Sequence, residues 1–154
     1  MYFYKKIINN LIKKKVSISF AESCTGGQLS KKFTDIPGIS AIFDMALITY
    51  SNQSKSLLLK IPPALIIKYG AVSEKIAYQM SNNLSKISKS KICVSTTGIA
   101  GPSGGSTKKP VGLVYIGITF NKKTVVFKKI FLGNRKNIQK NTVKFCFKEI
   151  NKLL

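Results

Sequence analysis

The chain of 154 residues contains no histidine and only five acidic residues. Both shortages limit the catalytic mechanisms and the metal sites that it is able to form. Without histidine it has no Ser-His-Asp or Cys-His catalytic set of its own and no histidine metal ligand. The carboxylates are widely spaced and form no DxD or ExxE pair; they are Glu22, Asp35, Asp44, Glu74 and Glu149. We therefore predict no metal and no cofactor, and lysine becomes the candidate for a catalytic base.

Cysteines and long apolar runs are also scarce. Cys24, Cys93 and Cys146 are an odd number without a CxxC pair, which indicates a reducing compartment and argues against structural zinc. The longest apolar runs, such as 43–50, fall far short of the roughly 20 residues that cross a bilayer. The N-terminal 15 residues interrupt their apolar positions with Lys and Asn, unlike a signal peptide. These features predict a cytoplasmic protein without membrane association.

Positive charge is what the chain has in excess, with 26 Lys and Arg and a net charge of +21. Such an excess is typical of nucleic-acid-binding proteins, because these side chains displace the counterions of phosphate groups. The lysines are spread along the whole sequence, however, so we expect a solvated basic surface and only weak, non-specific nucleic acid binding. The single arginine, Arg135, indicates a position that needs a planar guanidinium, for example to bind a phosphate in bidentate fashion.

Hydrophobic periodicity predicts an alternation of helices and strands that ends in three strands and a helix. The predicted strands are 16–20, 43–50, 91–97, 111–120 and 124–132, and the predicted helices are 3–14, about 25–33, 51–59, 64–69, 74–88 and 137–154. This order predicts a single domain over residues 1–154. Its fold class is an α/β/α sandwich with a mixed sheet that ends in an antiparallel hairpin, followed by a C-terminal helix. Exposed sheet edges favour a homo-oligomer.

Residues 93–112 read CVSTTGIAGPSGGSTKKPVG and contain five glycines and two prolines. Such a loop has few side chains and many backbone N–H groups, so main chain alone can hold a phosphate or an oxyanion. A flexible, exposed connection is the alternative. Three other segments carry hydroxyl groups or a lysine near predicted element ends: AESCTGG at 21–27, PGIS at 37–40 and TYSNQSK at 49–55. We expect all of them to meet at the carboxyl edge of the sheet.

Together with GAVSE at 70–74 and the loop at 98–112, these three segments resemble the ordered motifs of the CinA C-terminal domain family. The resemblance covers residues from about 16 to 135. It implies hydrolysis of nicotinamide mononucleotide to nicotinate mononucleotide and ammonia, a reaction of pyridine nucleotide salvage and NAD biosynthesis. In many members this domain follows a molybdopterin-binding-like domain, so the length of this chain implies the stand-alone form.

The resemblance also implies roles for individual residues. Ser40 corresponds to the nucleophile, Lys55 to its base and Tyr50 to an orienting group. Ser23, which directly follows a predicted strand, is the alternative nucleophile, and Ser40 has the alternative role of capping the next segment. The implied substrate-binding residues are Thr97, Gly98, Gly101, Gly104, Gly105 and Arg135.

Two features depart from the family pattern: residues 106–109 read STKK where acidic residues are common, and the surface is unusually basic. Two other functions therefore stay open. One is a basic nucleic-acid-binding module, and the other is a degenerate homologue that binds a nucleotide without catalysis. Release of ammonia from nicotinamide mononucleotide separates the deamidase from both.

Overall fold

A five-stranded mixed sheet forms the centre of the computed structural model, which describes residues 2–154. The strands lie in the order β2-β1-β3-β4-β5. Their bounds are β1 (Ile18–Glu22), β2 (Phe43–Ile48), β3 (Ile92–Gly98), β4 (Leu113–Phe120) and β5 (Lys123–Ile130). Strand β1 runs parallel to β2 and β3, whereas β4 is antiparallel to both of its neighbours. The predicted mixed sheet with a terminal antiparallel hairpin is confirmed.

Six α-helices cover the two faces of the sheet. They are α1 (Tyr2–Lys14), α2 (Gln28–Thr34), α3 (Asn52–Leu59), α4 (Pro63–Tyr69), α5 (Glu74–Ser88) and α6 (Arg135–Lys152), with a 3₁₀ turn at Ile39–Ala41. Helices α1, α2 and α6 bury their apolar sides in one core. Helices α3, α4 and α5 form a second core on the opposite face. The predicted α/β/α sandwich is confirmed. Within residues 2–154, no helix is both long enough and apolar enough to span a membrane.

Burial along the strands follows their place in the sheet. The central strand β1 is buried at every position, as expected for a strand covered on both faces. The edge strand β5 alternates between exposed and partly buried side chains over most of its length. Helix α5 lies close to the sheet at Gly117, where a Cβ atom would approach the Ala77 carbonyl oxygen to 2.5 Å. This close approach explains why a glycine lies in the middle of β4.

Strand direction decides which residues meet at each end of the sheet. The parallel strands β1, β2 and β3 end at Glu22, Ile48 and Gly98, and we call this end the carboxyl edge. The same strands begin at the opposite end, which we call the amino edge. Segments that follow a parallel strand therefore lie at the carboxyl edge, and segments that precede one lie at the amino edge.

Candidate active site

Ser23 and Lys55 form a buried pair at the carboxyl edge. Ser23 directly follows β1, and its backbone N–H donates to the carbonyl oxygen of Thr96 on β3 at 3.0 Å. Lys55 projects from α3, and its Nζ lies 3.1 Å from Ser23 Oγ. Only 1% of the Lys55 side chain and 9% of Ser23 is exposed. A hydroxyl and an amine at this distance are within reach of direct proton transfer.

Two backbone carbonyls complete the surroundings of the amine. Lys55 Nζ donates to the carbonyl oxygens of Thr49 at 2.6 Å and Tyr50 at 3.4 Å, which belong to the segment between β2 and α3. Burial lowers the pKa of Lys55 from its ordinary value of 10.5 to about 8. Desolvation disfavours the ammonium form, so about a tenth of this lysine is a neutral amine at pH 7 and about half at pH 8.

The start of α3 positions Lys55. Ser51 caps this helix, and its side chain accepts a hydrogen bond from the backbone N–H of Ser54 at 3.0 Å. Lys55 is the fourth residue of α3, and its own N–H donates to the Ser51 carbonyl at 3.2 Å. The cap fixes the first helical turn, so the amine points back toward the end of β1 rather than into solvent.

Glu22 organises the turn that carries Ser23. This carboxylate is fully buried and accepts hydrogen bonds from the backbone N–H groups of Gly27 at 3.0 Å, Leu29 at 3.1 Å and Ser30 at 2.8 Å. It also accepts from the hydroxyl groups of Thr25 at 2.6 Å and Ser30. Glu22 thereby satisfies the free N–H groups at the start of α2, where a negative charge is favourable.

The start of α2 corrects the sequence prediction, which began this helix at about residue 25. The helix begins at Gln28, and the residue before it is Gly27 with a φ angle of 93°. Thr25 instead bridges Glu22 to Thr96, whose hydroxyl lies 2.8 Å from that of Thr25. The sequence does indicate that Glu22 has a special role, because it is one of only five acids in the chain and ends a buried strand.

We expect Glu22→Gln to lower the free energy of unfolding. The amide offers one acceptor oxygen and places an NH₂ group against N–H donors, so several buried donors lose their partner at a cost of about 2–4 kcal/mol. Chemical denaturation measures the change in the free energy of unfolding. Glu149→Gln is the matched control, because Glu149 pairs with the exposed Lys152 on α6. Equal effects from both substitutions would contradict a specific role for Glu22.

A cavity of about 270 Å³ opens above the Ser23–Lys55 pair. Predicted site residues that line it are Ser23, Tyr50, Lys55, Thr97, Gly98, Gly101, Gly104 and Arg135. The sequence analysis missed Ala71 and Val72, which also line it and lie in the GAVSE segment. Thr97 joins that segment to the glycine-rich loop, because its hydroxyl donates to the Ala71 carbonyl at 2.8 Å.

Arg135 and Tyr50 lie together at the mouth of the cavity. The Arg135 guanidinium donates to the Gly101 carbonyl at 2.7 Å and to the Tyr50 hydroxyl at 2.9 Å. Arg135 is the first residue of α6, whose cap Asn134 accepts from the backbone N–H of Asn137. The arginine is held by contacts on two sides of the cavity, and the guanidinium has further N–H donors beyond these two.

Several residues of the glycine-rich loop that line this cavity have backbone N–H groups without a protein acceptor. Within residues 2–154, the N–H groups of Ala100, Gly101, Ser103 and Gly104 donate no hydrogen bond to the protein. The N–H of Cys24, next to Ser23, also has no acceptor in this part of the chain. Gly105 does not line the cavity, in contrast to the prediction. It packs against Val111 instead, where a Cβ atom would come within 2.8 Å of the backbone nitrogen.

Cys24 lies in the cavity wall beside Ser23 and is a second potential nucleophile. Burial raises the pKa of its thiol to about 12. A thiol is nucleophilic only as its thiolate, so Cys24 stays protonated and unreactive at ordinary pH. The geometry and this pKa favour the hydroxyl of Ser23 over the neighbouring thiol.

Ser40 does not lie in this cavity, and its predicted place at the carboxyl edge is corrected. It belongs to the 3₁₀ turn that precedes β2, so it lies at the amino edge. There it lines a different cavity together with Ser17, Asp44 and Lys89. Ser40 precedes β2 and Lys55 follows it, so the length of this strand separates the two residues. The structure brings Lys55 to Ser23 instead.

Fold and site together define a class of protein: an α/β sandwich whose carboxyl edge carries a buried serine–lysine pair facing a glycine-rich loop. The chain belongs to the CinA family, because the sequence profile of the CinA C-terminal domain matches residues 2–154. The predicted family is thereby confirmed.

Individual relatives agree with this assignment. The chain is 43% identical over 148 residues to a putative competence-damage inducible protein of Caldanaerobacter subterraneus subsp. tengcongensis, covering 96% of this chain and 36% of the relative. It is 50% identical over 133 residues to a CinA-like protein of Endomicrobium trichonymphae, covering 86% and 31%. The chain thus spans about a third of the length of these curated relatives.

Solved structures share the fold. The competence/damage inducible protein CihA from Agrobacterium tumefaciens superposes with a TM-score of 0.94 at 32% identity, covering 99% of this chain and 93% of that chain. A CinA superfamily protein from Klebsiella pneumoniae superposes with a TM-score of 0.93 at 24% identity, covering 98% and 94%. The second comparison supports the fold alone.

Proposed function

We propose that the chain hydrolyses the carboxamide of nicotinamide mononucleotide to nicotinate mononucleotide and ammonia, with Ser23 as nucleophile and Lys55 as base. The observation that carries the proposal is the 3.1 Å contact between Ser23 Oγ and the buried Lys55 Nζ. Membership of the CinA family and the resemblance of the motifs support the choice of substrate. Incubation with nicotinamide mononucleotide and measurement of ammonia tests the proposal.

The contacts of Lys55 admit both of its protonation states. An ammonium group has three hydrogens and no lone pair, whereas a neutral amine has two hydrogens and one lone pair. In the ammonium form, Lys55 Nζ donates to the carbonyl oxygens of Thr49 and Tyr50 and to Ser23 Oγ. After loss of one proton, the two carbonyl oxygens keep the remaining hydrogens, and the lone pair is directed at the Ser23 hydroxyl, which then donates to it.

Acylation follows from this arrangement. Ser23 Oγ attacks the carboxamide carbon while Lys55 takes the hydroxyl proton, which gives a tetrahedral intermediate with a negatively charged oxygen. Lys55 then returns its proton to the amide nitrogen. The carbon–nitrogen bond breaks, ammonia leaves, and the acyl group remains bound to Ser23 as an ester.

Deacylation repeats the proton transfers with water. Lys55, neutral again after ammonia has left, takes a proton from a water molecule that attacks the ester carbon. The second tetrahedral intermediate collapses, the bond to Ser23 Oγ breaks, and Lys55 returns the proton to the serine oxygen. The product is the carboxylate of nicotinate mononucleotide.

Backbone donors stabilise the oxyanion in this proposal. Cys24 and several residues of the glycine-rich loop line the cavity, and within residues 2–154 their N–H groups make no hydrogen bond to another residue. Donors placed where negative charge develops typically contribute about 10²–10³ in rate each. Main-chain groups of this kind do not titrate, so they remain available over the whole pH range in which Lys55 acts.

Arg135 is the proposed ligand of the substrate phosphate. It lies at the cavity mouth and is fixed there by the Gly101 carbonyl and the Tyr50 hydroxyl. A guanidinium offers a planar pair of donors that matches a phosphate group, which a lysine in the same place does not.

We expect Arg135→Lys to raise KM for nicotinamide mononucleotide by about tenfold and to change kcat by less than threefold, because the charge is kept and the bidentate contact is lost. Steady-state kinetics separate the two parameters. Lys136→Gln, which removes the charge of the exposed neighbour on α6, is the control and should leave KM within twofold. An unchanged KM in Arg135→Lys would overturn the assignment of the phosphate site.

The reaction should depend on pH through Lys55. The base acts as the neutral amine, and burial lowers its pKa to about 8. We expect kcat/KM to rise about tenfold per pH unit below pH 8 and to level off above it, since kcat/KM reports ionisations of the free enzyme. Initial rates of ammonia release between pH 6 and pH 10 measure this profile. A profile that is flat over this range would contradict Lys55 as the base.

A further inference from the structure

A groove of about 680 Å³ lies at the amino edge, and it is separate from the candidate active site. The seven residues of β3 lie between the two sites, a separation of roughly 20 Å along the strand. The side chains that line the groove are all polar or positively charged. They are Asn82, Ser85, Lys86, Lys89, Ser90, Lys91, Asn121 and Lys122. None of the eight has a carboxylate or an apolar side chain.

The fold assembles this groove from distant parts of the chain. Lys89 caps the end of α5 with a φ angle of 58°, and Lys91 leads into β3. The turn between β4 and β5 brings Lys122, and it is tied to this segment because the N–H of Asn121 donates to the Lys91 carbonyl at 3.3 Å. From the sequence these lysines were predicted to be distributed over the solvated surface. Their spacing along the chain does not show that they lie close together in the fold.

The charges in the groove favour an anion. Four lysines line one concave surface, and their positive charges repel one another until an anion binds among them. The C-terminal end of α5 contributes only about half a negative charge. Asp44 lies in the adjoining cavity, which shares Lys89 and Ser90 with the groove. One carboxylate in a neighbouring cavity does not balance four lysines.

We propose that this groove binds the sugar–phosphate backbone of a single-stranded nucleic acid without reading its sequence. Lysines neutralise phosphates, and the amides of Asn82 and Asn121 are able to donate hydrogen bonds to phosphate oxygens. No aromatic side chain lines the groove for base stacking. A membrane surface fits less well, because the site is concave and offers no apolar residue for insertion.

Fluorescence anisotropy with a labelled 20-nucleotide single strand tests the proposal. The groove variant is Lys86→Gln, Lys89→Gln, Lys91→Gln and Lys122→Gln combined. The matched control removes the same charge from exposed positions elsewhere, by combining Lys5→Gln, Lys140→Gln, Lys144→Gln and Lys148→Gln. Binding is measured at several salt concentrations, and thermal unfolding checks that both variants are folded.

We expect the groove variant to bind at least tenfold more weakly at 0.15 M salt and the control variant to stay within threefold of the unmodified chain. The slope of log K against log salt should fall by about 0.7 for each lost phosphate contact, and therefore by two to three in the groove variant. Equal losses in both variants would overturn the proposal in favour of a generally cationic surface. Binding to anionic phospholipid vesicles but not to oligonucleotides would also overturn it. Ammonia release from nicotinamide mononucleotide should be unchanged in the groove variant.

Discussion

Ser23→Ala is expected to lower kcat/KM for nicotinamide mononucleotide deamidation by at least about a thousandfold, whereas Ser40→Ala keeps it within twofold. Ser23 Oγ is the proposed nucleophile and lies 3.1 Å from Lys55 Nζ. Removing a nucleophile leaves only the binding and oxyanion contributions. Ammonia release measured for both variants under identical conditions gives the comparison.

The two serines make a matched pair for this experiment. Ser40 lies at the amino edge in another cavity, so the same chemical change there removes a hydroxyl without touching the proposed site. Thermal unfolding of both variants shows that each is folded. Loss of activity in Ser40→Ala with retention in Ser23→Ala would reverse the assignment, and it would require a rearrangement that brings Ser40 across the sheet.

Lys55→Ala is expected to lower kcat by about 10²–10⁴, the usual contribution of a general base. The substitution leaves the carbonyl oxygens of Thr49 and Tyr50 without their donor and opens a space where the amine was. We expect ethylamine in the assay buffer to restore part of the activity, because a small amine can occupy that space and accept the Ser23 proton. Rescue should increase with pH, as the neutral form of ethylamine increases.

The control for this prediction is Lys68→Ala, which removes an exposed lysine from α4 on the same side of the sheet. It should retain full activity and show no response to ethylamine. A purely structural role of Lys55 would lower the melting temperature and activity together, and added amine would restore neither. Full activity in Lys55→Ala would rule out the proposed base.

The order of elements and the sandwich fold were predictable from the sequence, because each element carries a local signal. Ser73 before α5, Ser51 before α3 and Asn134 before α6 all cap the helices that they precede. Strand β1 begins and ends two residues later than predicted, at 18–22 instead of 16–20. The prediction followed the alternating residues 16–20, whereas the strand itself is buried at every position up to Glu22. The single-domain assignment, the homo-oligomer and the cytoplasmic location stay predictions.

The choice between the two serines required the direction of the strands. The sequence shows Ser40 close before β2 and Lys55 shortly after it, and such proximity along the chain suggests a pair. A strand of six residues between them places them at opposite edges, however. Ser23 comes from another strand, β1, whose parallel pairing with β2 brings its end beside the start of α3. The residues next to Ser23 and Lys55 in the sequence do not show that these two side chains lie close together.

The roles of Glu22 and of the lysine groove depended on contacts between distant segments. Glu22 lies next to Ser23 in the sequence, but its function as the cap of α2 comes from a turn that brings residues 27–30 back to its carboxylate. The groove joins residues 82–91 to residues 121–122. Sequence patterns predicted where the helices and strands are, and tertiary pairing decided which side chains share a site.

In the proposed mechanism, deamidation proceeds through an ester on Ser23, and partitioning with hydroxylamine detects such an ester. The chain is incubated with nicotinamide mononucleotide and hydroxylamine, and mass spectrometry quantifies the nucleotide products. An acyl-enzyme ester reacts with either water or hydroxylamine, so we predict both nicotinate mononucleotide and its hydroxamate, the hydroxamate fraction rising with hydroxylamine concentration, and neither product with Ser23→Ala. Failure to convert the substrate would rule out the deamidase activity, and the carboxylate as sole product at every hydroxylamine concentration would rule out the ester on Ser23.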